Sequence, residues 1–273
     1  MHQSVFVNEV EGLSPEFPVL LEDDRALGDV NITIETVYKE LMNLNPHKAA
    51  GPDGIKHIVL KSCAKSLALP LHIMFRKTVD QRRLPNEWKT AKITALFKKG
   101  SRKANNYRPV SLTSQICKVM EQIIREQVTE HLEHNSLMSK HQHQAWAYYP
   151  EVMSDEPVGN LRRLGGSTGY TPWIRCGVSR LRKAFDTVPD KRLIKKLKGY
   201  GITGKIADWI QDFLKDHQQQ VCVGKGLSRW GQAKSGVPQG SVLGPMLFLL
   251  YVNEVPSLVQ SSIKLFADDT KIY

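Results

Sequence analysis

The tightest constraint on this chain is a stretch near its end, SGVPQGSVLGPMLFLLYVNEV (Ser235–Val255), followed by KLFADDTKIY (Lys264–Tyr273). The first part reads as a glycine-bearing loop feeding a fully apolar helix or strand. The second sets two adjacent carboxylates, Asp268 and Asp269, directly after the short apolar run Leu265-Phe266-Ala267. At a strand tip successive side chains point to opposite faces, so one acid of such a pair faces the buried side. A charge there is costly unless a cation neutralises it, and hard oxygen ligands of this kind suit magnesium. A bare pair of aspartates, by contrast, is more often a solvated turn.

A length of 273 residues suffices for one large domain or two small ones, and the net charge of +11 is the unusual feature. The basic residues are spread along the chain rather than gathered in a tail. Charge alone points equally to a polyanionic partner and to a basic protein with no nucleic-acid role. Cys63, Cys117, Cys176 and Cys222 are widely spaced, which predicts reduced, structural thiols rather than a zinc site or a disulfide framework. The N-terminus has no apolar core of a signal peptide, and the longest apolar run, Pro245–Val252, is too short to span a bilayer. The expectation is an intracellular protein of the cytoplasm or nucleus, not secreted and without a membrane partner.

Residues 1–30 read as acidic and irregular. Ile34, Val37, Leu41 and Leu44 recur at helical spacing, and NPHKAAGPDGI then makes a turn. The pattern predicts a helix from Pro70 to about Arg83 with Ile73, Met74 and Val79 inward. WKTAKITALFKKG alternates as a half-buried strand, with Ile93, Ala95 and Phe97 on one face; the basic turn SRKANN and a second strand, YRPVSL, complete a hairpin. Such a hairpin suits phosphates, or is simply solvated. Ser114 as N-cap opens a strongly amphipathic helix through Ile116, Val119, Met120, Ile123, Ile124, Val128 and Leu132. Helices are predicted at Asp190–Lys198, stopped by Gly201, and at Lys205–Lys215. A strand pair is predicted around Val221-Cys222-Val223 and Arg229-Trp230-Gly231.

SGVPQGSxLGP followed by FADD resembles motifs B and C of the reverse transcriptases of non-LTR (LINE-type, jockey/CR1-like) retrotransposons, and LNPxKAAGPDGI resembles the opening of their fingers. The resemblance implies an RNA-directed DNA polymerase working by two-metal nucleotidyl transfer, with RNA template, DNA primer and dNTP as partners and Mg2+ as cofactor. It makes Asp268 and Asp269 the catalytic and metal-binding acids. It makes Lys92 and Arg108 triphosphate contacts and Phe185 the aromatic that screens out ribonucleotides. Gln239, Gly240 and Phe266 would line the nucleotide and template pocket. By residue type alone Gln239 and Phe266 could equally be a loop amide and a packed aromatic.

Two-metal chemistry needs carboxylates converging from different strands. In the family the further aspartate comes from motif A, written roughly YLDFxKAFDTVP. Its tail is intact here as Lys183-Ala184-Phe185-Asp186-Thr187-Val188-Pro189, but the position of the metal aspartate holds Arg180. The letters suggest how. GVSRL can be encoded GGT GTA TCT CGA CTT; read one base later with one borrowed base, it spells Val-Tyr-Leu-Asp-Phe. Carried back to Gln144, the shifted frame resembles the family's QHGF…GRSCLTNLLE…YLDF passage. A frame-shifted segment of about 144–181 is therefore expected, poorly packed and never selected to fold.

The expected fold is α+β: the fingers and palm of a right-hand polymerase, an antiparallel palm sheet carrying the FADD turn, and no thumb. Residues 1–30 would be an irregular segment, 31–140 the fingers, 141–182 the frame-shifted insert and 183–273 a partial palm. The expected function is a damaged or inactive reverse transcriptase; the alternative is a non-catalytic nucleic-acid-binding remnant.

Overall fold

Helices dominate the described part of the chain and supply most of its core, because their apolar faces recur at helical spacing and converge. The structure, a computed structural model, describes residues 17–21, 23–97, 107–139, 177–180, 184–224, 226–233, 236–238, 240–258, 263–266 and 269–272. The basic turn of the hairpin, Asp268, Gln239, Cys176 and nearly all of the expected frame-shifted segment lie outside these residues.

The chain enters through α1 (Ile34–Asn43), whose N-cap Thr33 accepts a hydrogen bond from the Thr36 amide. Val37 and Leu41 are buried as the spacing predicts, while Ile34, in the first turn, is exposed. Next come α2 (His57–Ser62) and α3 (Ala64–Asp80). The helix expected to begin at Pro70 begins instead at Ala64. Pro70 lies inside α3, and Ile73 is exposed. The helix starts earlier because Ala64 and Ala68 bury a face continuous with Leu71, Phe75 and Val79. Packing along that face outweighs the helix-breaking tendency of one proline.

After Trp88, buried in a 3-10 turn, strand β1 (Thr90–Phe97) pairs antiparallel with β2 (Tyr107–Leu112). Ile93 is buried, but Phe97 at the far end is exposed beside Tyr107. Helix α4 (Gln115–His134) follows, with Ser114 capping it as expected and its predicted apolar face buried apart from the half-buried Ile116. Strand β3 (Gly177–Arg180) leads to a 3-10 turn at Ala184–Thr187. Helices α5 (Asp190–Gly199) and α6 (Gly204–Leu214) agree with the periodicity, Gly201 between them at φ 76°. The Trp209 indole of α6 stacks on Phe213 and donates to the Thr78 hydroxyl of α3 at 3.2 Å.

The expected strand pair in residues 221–231 is built differently. Strand β4 (Gln218–Val223) pairs with β5 (Gly226–Leu227) and β6 (Gly231–Gln232), and Arg229 and Trp230 belong to neither. The Ser228 hydroxyl takes the Val221 amide hydrogen bond at 2.9 Å and splits the partner strand. Helix α7 (Gly244–Val252) resolves the helix-or-strand ambiguity of the apolar run. Strands β7 (Ile263–Phe266) and β8 (Asp269–Ile272) close the chain.

Two sheets result. One has five strands along the order β2-β1-β4-β5, with β6 also on β4, and its β1–β4 pair is parallel, which the sequence did not suggest. The other, β3-β8-β7, is antiparallel and carries the hairpin of the FADD segment. The fold is thus mixed helix and sheet. Residues 17–30 are not featureless: Leu20 bonds to Gly199, Leu27 bridges to Ile202, and Leu21 and Val30 are buried.

Candidate functional site

Three chain segments meet at the junction between β2 and α4. Gly240, in the loop before α7, has φ 80°, and a Cβ there would lie 2.5 Å from the Ser111 carbonyl oxygen of β2. Only glycine combines that dihedral with so close an approach. From the other side Gly51 presses on the Thr113 carbonyl, again with no room for a Cβ. The Gln115 side chain ties this second loop down: its amide donates to Thr113 O at 3.2 Å and Ala49 O at 3.4 Å, while its oxygen pairs with His57 Nε2. His57 Nδ1 reaches Asn45 O at 2.8 Å. Gly51 of AAGPDG and Gly240 of VPQG are therefore close-packing positions on one strand-to-helix corner.

The same loop is joined to the motif A tail. Val237 N donates to Phe185 O at 2.9 Å and Gly236 N to Val188 O at 3.1 Å. Phe185 stacks on Phe248 of α7 with centroids 4.7 Å apart. So Phe185, Gly240 and the β2 strand that carries Arg108 belong to one packed unit. Lys92 is half-buried on β1, in register with Leu112, next along β2 from Ser111. Arg108 is in register with Leu96.

A residue the sequence reading passed over holds this unit together. Glu121, about one turn before the middle of the α4 apolar stripe, is buried, and its Oε2 accepts from Val242 N at 2.6 Å and Leu243 N at 3.0 Å. These amides open α7, whose own N-cap, Leu243, has no side chain to offer. Ser241 assists, its hydroxyl donating to Pro238 O and accepting from Gly244 N at 3.0 Å. Burial pushes the Glu121 carboxyl above its ordinary range, although the two N–H groups and Lys118 favour the charge. The signal was present in the sequence as a charged residue within an otherwise apolar helical stripe.

In the antiparallel sheet the register forms one row, Arg180 opposite Asp269 and Asp269 opposite Phe266. Arg180 is five residues before Phe185, so the row is within about 18 Å of the packed unit along the chain. Asp268 and Gln239 lie outside the described residues. Among the described residues no three His, Cys, Asp or Glu side chains cluster as a metal site. The backbone register thus sets the Arg180 position opposite the Asp269 position across the β3–β8 pair.

The described residues thus bring together a strand hairpin, a glycine loop before a buried helix, and the antiparallel β3-β8-β7 sheet. Residues 97–273 match the family reverse transcriptase (RNA-dependent DNA polymerase), and the chain belongs to it. Its relatives are polymerases of mobile elements of the non-LTR retrotransposon kind. It is 29% identical over 240 residues to the probable RNA-directed DNA polymerase from transposon X-element of Drosophila melanogaster, covering 85% of this chain and 26% of that protein. The RNA-directed DNA polymerase from mobile element jockey of the same organism is 24% identical over 252 residues, covering 88% of this chain and 27% of its own length. A Pol polyprotein from the type-1 retrotransposable element R2 of Popillia japonica is 30% identical over 95 residues, 35% of this chain and 15% of its own. The chain thus spans about a quarter of the length of the first two relatives. The family generally uses divalent metal ions and handles a nucleic-acid template and nucleotides. No helix among the described residues is long and apolar enough to cross a membrane.

Proposed function

We propose that this chain is a retrotransposon reverse transcriptase domain that keeps its grip on nucleic acid and lacks effective nucleotidyl transfer. Residues 31–140 serve as fingers, 183–273 as part of a palm, and 141–182 as a frame-shifted insert. The observation that carries the reading is the register of Arg180 with Asp269, which sets a permanent cation where a second metal-binding acid is required. Asp268 and Asp269 remain as candidate metal acids, and Mg2+ binds them weakly at best. Lys92 and Arg108 contact phosphates of the nucleotide or template. Phe185, Gln239, Gly240 and Phe266 line the pocket, a reading supported by the backbone bond of Val237 to Phe185, which ties the motif A tail to the VPQG loop. The protein acts in the cytoplasm or nucleus, where its template would be.

The retained grip is testable without catalysis. Fluorescence anisotropy with a labelled single-stranded RNA is expected to show binding that weakens steeply with salt. Three or more phosphate contacts give a log–log slope of about −2 or steeper. A slope near zero, or no binding at low salt, contradicts the reading.

A further inference from the structure

Lys118 lies in the second turn of α4, half-buried, and among the described residues it makes no ion pair or side-chain hydrogen bond. A lysine withdrawn from water with only the field of the nearby Glu121 to offset the cost is poorly compensated, since such groups are ordinarily paired and hydrogen-bonded. A second unpaired group sits at the same corner. The Thr113 hydroxyl, on a residue 5% exposed, is buried with no hydrogen-bond partner among the described residues. The loop bearing the exposed Lys48 is strapped over this corner by Gln115 and by the contact of Gly51 with Thr113.

We propose that Lys118, Lys48 and the Thr113 hydroxyl form a phosphate-binding site at the corner between β2 and α4, next to the loop that precedes α7. It rests on the nucleic-acid reading above and adds a contact that neither the hairpin nor the carboxylates provide. An incoming phosphate supplies the acceptor oxygens that both the ammonium and the hydroxyl lack. The charge balance agrees: burial and the neighbouring Lys48 hold the Lys118 pKa below its ordinary value, while Glu121 only partly offsets them. An anion shared by the two lysines relieves both effects. The phosphate comes from the template backbone or from a nucleoside triphosphate.

The test compares the wild-type chain with Lys118→Met and Lys48→Ala, using labelled single-stranded RNA, a fluorescent nucleoside triphosphate and tripolyphosphate as probes. Lys118→Met removes both the cost of withdrawing the ammonium from water and its favourable field on Glu121, so the melting temperature should change little, yet RNA binding should weaken five- to tenfold. The salt slope should become shallower by about 0.7, the value of one single-strand phosphate contact. Lys48→Ala, at an exposed position, leaves folding intact and weakens the same ligand. Loss confined to RNA identifies the template backbone; loss confined to nucleotide and tripolyphosphate identifies the triphosphate. A lysine with only a structural role would lower the melting temperature on replacement and leave affinity and slope unchanged in Lys48→Ala, which overturns the site. If the wild type binds RNA with a steep slope and neither variant alters any ligand, the site fails while the nucleic-acid reading stands. If the wild type binds none of the probes, both fail.

Discussion

Glu121→Ala is expected to cost about 2–4 kcal/mol of stability. The carboxylate is the acceptor for two amides at the start of α7, and alanine leaves both N–H groups buried without a partner. Each such group costs roughly 1–3 kcal/mol, to which the lost side-chain packing adds. For a chain of this size the melting temperature should fall by roughly 5–15 °C. Glu121→Gln is the informative control. Its carbonyl oxygen can accept from the same two amides and it sheds the cost of burying a charge, so it should melt within a few degrees of wild type. The pH dependence has a definite sign. Burial raises the carboxyl above its ordinary 4.5, so the folded chain holds this proton more tightly than the unfolded one. Stability from this group therefore falls as pH rises from about 4.5 through the raised value, then levels. Glu121→Gln removes that slope. Thermal melts of the three proteins across pH check all of this; an alanine variant that melts with wild type contradicts it.

Arg180→Asp should produce the largest gain in metal binding. The exchange replaces a fixed positive charge with a carboxylate directly opposite Asp269 in the register. Charges about 5 Å apart in a partly screened site interact by roughly 3 kcal/mol, so reversing one charge is worth at least tenfold in affinity for a divalent ion. Arg180→Asn separates the two causes, since it removes the cation without adding an anionic ligand, and should fall between. Titration with Mn2+ followed by electron paramagnetic resonance reads the free ion directly. Equal affinity in all three proteins would mean that position 180 does not face the metal.

The helices were legible because their signals are local. Ser114 followed by the stripe from Val119 to Leu132 needs only a 3.6-residue period, and the structure buries that stripe. What was not legible depends on distant partners. No local pattern shows that β1 pairs parallel with β4, more than a hundred residues on. Pro70 looked like a helix start because proline disfavours the interior, yet the face from Ala64 to Val79 packs as one. Arg229 and Trp230 have strand-like neighbours, but Ser228 takes the hydrogen bond that would have continued the ladder. The site divides the same way. Phe185 and Gly240 were recognisable by motif, and their residues are joined through the Val237–Phe185 bond. Glu121 and Lys118 look like ordinary helix charges until α7 and the loop of Lys48 are brought against them.

Loss of nucleotidyl transfer rests on position 180, and the most direct measurement is primer extension by the purified protein on an RNA template with a DNA primer, dNTPs and Mg2+. The expected result is template-dependent binding without extension, even when the same protein shows a steep salt slope for RNA. Robust Mg2+-dependent extension by the chain with Arg180 in place would contradict the account.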